Sequence, residues 1–169
     1  QQRTVKIYGA GIGRASGYAS GLIVSPDGLI VTAYGVYLTG ERIRVGLPDG
    51  RLLEAQLVRR SVPLQLALLK VEAPTPEYFE LSTSPVAQKG DWVLGVSNTF
   101  KVAEGQEPLS VNLGVVSLRT RLEARLGVHD VDYQGEVILI DAITSNPGAP
   151  GGAVVTADGR LAGMIGRII

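Results

Sequence analysis

Cysteine is absent from the 169 residues, and histidine occurs once, at His129. The first absence excludes a disulfide framework and thiolate metal sites, and leaves the redox compartment open; the second excludes a multi-histidine metal centre. No metal and no cofactor is expected. Net charge is missing too, because 16 Lys+Arg stand against 16 Asp+Glu. Without a global field the chain is not expected to gather nucleic acid or an anionic membrane surface. No uncharged apolar run approaches the ~18 residues of a spanning helix, so membrane insertion is not expected. No basic-then-apolar leader precedes the first strand, so any export signal is expected to have been removed or never to have existed.

What is present is punctuation. The chain has 22 glycines and 9 prolines. Valine and isoleucine fall in short runs bounded by Gly, Pro, Asp or Asn, a strand-and-turn signature with no 3.6-residue period. The expected class is all-β. Ser25-Pro26-Asp27-Gly28, Leu47-Pro48-Asp49-Gly50 and Thr156-Ala157-Asp158-Gly159 each read as hairpin turns, because Asp-Gly accepts the positive φ that tight connections demand. The runs predict strands at Val5–Tyr8, Ala19–Val24, Leu29–Ala33, Arg42–Leu47, Leu52–Val58 and Leu66–Val71, then at Trp92–Ser97, Ser110–Arg119, Glu136–Ala142, Ala153–Thr156 and Leu161–Ile169. Between the two sets, Glu72-Ala73-Pro74-Thr75-Pro76-Glu77 suits a linker, since proline cannot donate to a sheet. Two small barrels side by side follow: 1–71, a linker over 72–90, and 91–169.

One segment reads as chemistry. Asn146-Pro147-Gly148-Ala149-Pro150-Gly151-Gly152 is a loop that presents backbone, placed before the apolar strand at Ala153. It resembles Asn-Pro-Gly-Asn-Ser-Gly-Gly, the nucleophile loop of the HtrA/DegP group of trypsin-like serine proteases. The likeness continues in order along the chain. Ser20-Gly21-Leu22-Ile23-Val24-Ser25-Pro26-Asp27-Gly28-Leu29-Ile30-Val31-Thr32 resembles the family's opening hairpin. Leu64-Gln65-Leu66-Ala67-Leu68-Leu69-Lys70-Val71 is similar to its Thr-Asp-Leu-Ala-Val-Leu-Lys-Val. Gly90-Asp91-Trp92-Val93-Leu94-Gly95-Val96-Ser97-Asn98 is similar to the start of its second barrel.

The resemblance implies two six-stranded Greek-key-type barrels, the last strand of the second either missing or supplied differently. It also implies three altered positions. Gly35 stands where the family has its general-base histidine, Gln65 where it has the orienting aspartate, and Pro150 where it has the serine nucleophile. A serine protease needs a hydroxyl, an imidazole and a carboxylate, and these three residues offer none. The oxyanion loop Gly148, Ala149, Pro150 is altered as well, because proline carries no N–H. The expectation is a pseudoprotease that binds extended or unfolded peptide, or homologous protease subunits, as a scaffold or regulator. Homo-oligomers and a periplasmic or cell-envelope location are implied by the family alone. The alternatives are a purely structural or oligomerisation module of a longer protein, and a relocated active site at Ser145.

Other features have blander readings. Tyr34 and Tyr37 flank Gly35 and either fill the cleft or line a peptide groove. His129 falls in the charged segment Arg119–Asp132, read as a solvated loop. Gly9-Ala10-Gly11-Ile12-Gly13 reads as a flexible connection, since no helix follows to complete a phosphate cradle. Trp92 is expected to pack where the second barrel begins.

Overall fold

The Asp-Gly turns form as their residues dictate. Gly28, Gly50 and Gly159 take φ of 94°, 89° and 82°, a region that a β-carbon disfavours. Each turn is locked by its own aspartate: the Ser25 hydroxyl donates to Asp27 at 2.5 Å, the Arg51 guanidinium and N–H donate to Asp49, and the Thr156 hydroxyl and Arg160 guanidinium donate to Asp158. These donors hold all three carboxyls below the ordinary value of 3.8.

The computed structural model describes residues 1–11, 17–40, 42–122, 125–126, 129–130, 133 and 135–166. Strands β1 (Thr4–Tyr8), β2 (Tyr18–Ile23), β3 (Leu29–Ala33), β4 (Ile43–Gly46), β5 (Leu52–Ser61) and β6 (Leu66–Val71) close into an antiparallel barrel in the order β1-β2-β3-β6-β5-β4. Alternation fills it: along β6, Ala67, Leu69 and Val71 are buried and the residues between them are partly exposed. Val5, Ile7, Ile30, Val45, Leu69 and Val71 are fully buried, each contributing roughly 1.5–3 kcal/mol.

Residues 72–91 contain neither helix nor strand, yet they are pinned to the first barrel. Gly28 N–H donates to Thr75 Oγ1 at 2.9 Å, the Thr75 hydroxyl donates to Ser25 O at 2.7 Å, and Phe79 N–H donates to Ile23 O at 2.8 Å.

The second half holds β7 (Trp92–Ser97), β8 (Ser110–Leu122), the short pair β9 (Arg125–Leu126) and β10 (His129–Asp130), β11 (Gly135–Ile140), β12 (Ala153–Thr156) and β13 (Leu161–Met164). Apart from the β9–β10 pair, these form a curled five-stranded sheet, a half-barrel, in the order β11-β8-β7-β12-β13. Its inner core joins Val93, Val116, Val154 and Ile165. Its other face meets the first half, where Leu22 and Phe79 pack with Val96, Leu109, Ala153 and Val155. Polar bonds reinforce the seam. Lys6 Nζ, on β1, donates to Gly105 O at 2.5 Å and Glu107 O at 2.9 Å, and Tyr8 OH donates to Ala103 O at 2.9 Å. Burial lowers the Lys6 pKa, Glu107 opposing it, and raises that of Tyr8.

Three expectations change. The charged segment Arg119–Asp132 is not a loop throughout: β8 runs on to Leu122, and β9 pairs with β10, which contains His129. Pairing with β11 carries the extension, with Arg119 bonded to Glu136 at 2.7 Å on the exposed side. Likewise β5 continues to Ser61, because β6 keeps pairing with it beyond Val58. Trp92 is 60% exposed; it is the first residue of β7, opposite Val115, at an end of that central strand where no element covers it among the described residues. The glycine connection near Gly13 and the predicted tail of the final strand beyond Gly166 fall partly outside the described residues. No helix among those residues is long and apolar enough to cross a membrane.

Candidate functional site

Position 35 lies where β3 ends and a short 3-10 turn, Val36–Leu38, begins. The turn folds Tyr37 back over Gly35, so a β-carbon at residue 35 would meet Tyr37 Cε1 at 2.5 Å. Tyr37 is 5% exposed. Its hydroxyl donates to Ala33 O and stands 3.3 Å from Thr32 Oγ1. It occupies the space beside Gly35 and presents almost no surface.

Position 65 borders the same end of the barrel. Gln65 ends the β5–β6 turn with φ of 51°, and its carbonyl accepts Tyr34 N–H at 2.8 Å. Tyr34 itself is half-buried, and its hydroxyl accepts from Arg60 Nη1 at 3.2 Å while the guanidinium lies 5.8 Å from the ring centre.

The glycine loop closes the arrangement. Ser20 N–H donates to Pro150 O at 3.0 Å and Ser20 Oγ donates to Gly148 O at 2.8 Å, while Ser20 O accepts from Thr32 Oγ1 at 2.6 Å. A chain of hydrogen bonds therefore runs from the loop through Ser20 to Thr32, whose Oγ1 stands 3.3 Å from the Tyr37 hydroxyl beside Gly35. Glycine is required at two points of the loop. At Gly148, with φ of 86°, a β-carbon would lie 2.1 Å from Asn98 O; at Gly151, with φ of 84°, it would lie 2.0 Å from Ser20 O. The Gly148 N–H meets no acceptor among the described residues. Pro150 has no N–H to offer beside it.

The structure thus gathers Gly35, Gln65, Gly148, Ala149 and Pro150 around one end of the first barrel. Tyr34 and Tyr37 join them; Ser145 lies on the exposed approach to the loop and makes no hydrogen bond among the described residues. Ser20 and Thr32 had no role assigned from sequence, although both are fully buried polar residues inside apolar strands. That contrast is the signal that marks them. Asn98, which follows β7, is a third fully buried polar residue, and its N–H donates to Ser20 Oγ at 2.8 Å. No cluster of His, Cys, Asp or Glu capable of holding a metal occurs among the described residues.

Comparison with known proteins follows this geometry. Residues 19–164 match the trypsin-like peptidase domain. A DegP-like periplasmic serine endoprotease of Chlamydia muridarum is 31% identical over 150 residues, which is 89% of this chain and 28% of that protein. Serine protease HTR4 of Rattus norvegicus is 35% identical over 150 residues, 88% of this chain and 29% of its own. Among solved structures, the HtrA-type protease AlgW with tripeptide superimposes with a TM-score of 0.77 at 31% identity, over 96% of this chain and 50% of its own. The chain therefore spans half or less of each of these relatives.

Proposed function

The chain belongs to the trypsin-like peptidase family, in its HtrA/DegP group, and from that premise we propose that it binds extended polypeptide without cleaving it. The observation that carries this reading is Tyr37, whose ring stands 2.5 Å from where a β-carbon at residue 35 would sit. An imidazole has no room there. Position 65 supplies a neutral amide, and position 150 supplies neither a hydroxyl nor an N–H. In well-studied serine proteases, loss of the triad leaves about 10³–10⁴-fold acceleration over water. Loss of one oxyanion donor removes a further ~10²–10³. Little catalysis survives both.

Retention of the surrounding scaffold supports binding as the remaining role. The glycine loop keeps its backbone shape through Ser20, and Ser145 and Ile143 are exposed beside it. Extended peptide, donating and accepting through its own backbone, fits such a rim by strand addition. Unfolded proteins or homologous protease subunits are the partners we infer, and the cell envelope is the compartment, since DegP-like relatives are named periplasmic.

Labelled casein titrated with the chain, with anisotropy and gel analysis followed over hours, tests the reading. A saturable, stable rise with intact casein is expected. Fragment release that a serine-directed inhibitor blocks would overturn the proposal, and a flat trace would favour a purely structural module. Restoring the three residues together (Gly35→His, Gln65→Asp, Pro150→Ser) is expected to yield no proteolysis until Tyr37→Ala is added.

A further inference from the structure

Strand β5 is longer than its neighbour on one side. Its pairing with β4 ends at Ala55, opposite Ile43, whereas its pairing with β6 runs on to Ser61. Residues Gln56–Ser61 are therefore hydrogen-bonded in a ladder on one side only, and among the described residues no strand covers the other. Folded proteins normally blunt such an edge, because its unpaired N–H and C=O groups are a template for another strand. This one also carries exposed apolar side chains: Leu57 and Val58 lie on it, Val62 and Leu64 in the turn that follows, and all four are between 38% and 56% exposed. A bulge leaves Val58 unopposed on β6.

Charge decides what the edge accepts. Arg59 and Arg60 are exposed and make no ion pair among the described residues; Arg60 has only the Tyr34 hydroxyl and ring. Two copies of this chain paired along the same edge would set four guanidinium groups in one ladder, and like charges across a sheet repel. A strand carrying carboxylates meets the opposite situation. Arg59 and Arg60 are consecutive and lie on opposite faces, Arg59 across from Leu68 and Arg60 across from Ala67, so a strand added along the edge meets a guanidinium on each face.

We propose that the unpaired edge Gln56–Ser61 docks an extended acidic segment of another protein, added as a strand beside β5. The proposal goes beyond the peptide-binding reading, which concerns the glycine loop, and the two fail separately. Because Arg60 and Gln65, the end of the β5–β6 turn, both contact Tyr34, the edge lies next to the candidate site.

The test uses labelled peptides of about eight residues, one of Val-Glu-Glu repeats, which carries carboxylates on both faces, and one of Val-Lys-Lys repeats, titrated into the 169-residue chain. Saturable binding of the glutamate peptide alone is expected, with slowed amide exchange over 56–61. Arg59→Gln with Arg60→Gln, both on the surface, should weaken it about tenfold. Absence of saturable binding overturns the proposal, as does equal binding of the lysine peptide. Protection confined to residues 146–152 overturns it too, while supporting the glycine loop as the peptide site. A self-associated chain whose own contact protects 56–61 would instead identify a second copy as the occupant.

Discussion

The two halves of this molecule are built on one plan and reach different ends. Numbered within its own half and setting aside the short β9–β10 pair, the second sheet reads third-second-first-fourth-fifth, which is the ring of the first barrel with its sixth strand removed. Apolar content does not separate them, since Val, Ile and Leu line both interiors. Closure does. In the first half the ring seals Val5, Ile30, Leu69 and Val71 completely, whereas in the second Ile138, Ile140 and Ala162 stay only partly buried at the open margin. A strand buries its inward face only as far as its neighbours on both sides reach.

Substitutions can break this comparison. The largest contrast is expected in the interiors: Leu69→Ala should cost about 3–5 kcal/mol and Ile138→Ala about 1–2 kcal/mol, read from urea unfolding. Equal losses would mean that closure is not what distinguishes the halves. Turns come next. A β-carbon at Gly28 would lie 2.2 Å from Val71 O, while at Gly159 it would meet nothing within 4 Å. Gly28→Ala is therefore expected to cost about 3 kcal/mol and Gly159→Ala only the ~1–2 kcal/mol of a left-handed alanine, again by urea titration.

The seam is smaller. Lys6→Met leaves Gly105 O and Glu107 O without their donor, so a loss of about 1–2 kcal/mol is expected, with amide exchange quickening over residues 103–109 and unchanged within β3 and β6. The weakest effect is electrostatic. Asp27, Asp49 and Asp158 all have folded pKa values below the ordinary 3.8. Their contribution is thus fully present above that value and lost as pH falls through the lowered one. Acid unfolding profiles should flatten for the Asp27→Asn, Asp49→Asn pair more than for Asp158→Asn, two of the three turns lying in the first half.

Much of this was legible beforehand for a physical reason. Asp-Gly turns and Val/Ile runs act within a few residues, so the hairpins and nearly every strand could be read directly, as could the glycine loop before Ala153. Features decided by distant partners could not. The extent of β5 depends on what β6 offers it, and β8 outlasts its apolar stretch because β11 lies alongside. The exposure of Trp92 depends on which elements reach the first residue of β7. Tyr37 illustrates the limit at the candidate site: its place beside Gly35 was readable, but only the geometry of the 3-10 turn sends the ring across it. Ser20 and Thr32 were in plain view within a motif, and their roles emerged once the loop was seen resting on them.

The contacts of Lys6 carry a consequence for the order of events during synthesis. All six strands of the first barrel lie within residues 4–71, so that half can close as soon as it leaves the ribosome. The carbonyls that receive the Lys6 ammonium lie 99 and 101 residues further along. They follow Val71, the last barrel residue, by 34 and 36 residues, so at roughly 5–20 residues per second they arrive about 2–7 seconds after the barrel is complete. Throughout that interval the nascent barrel holds a charged group and the Tyr8 hydroxyl facing water, together with the apolar side chain of Leu22. The late step in maturation is then the drying of that one face, and anything that lengthens the pause before residue 109 prolongs its exposure.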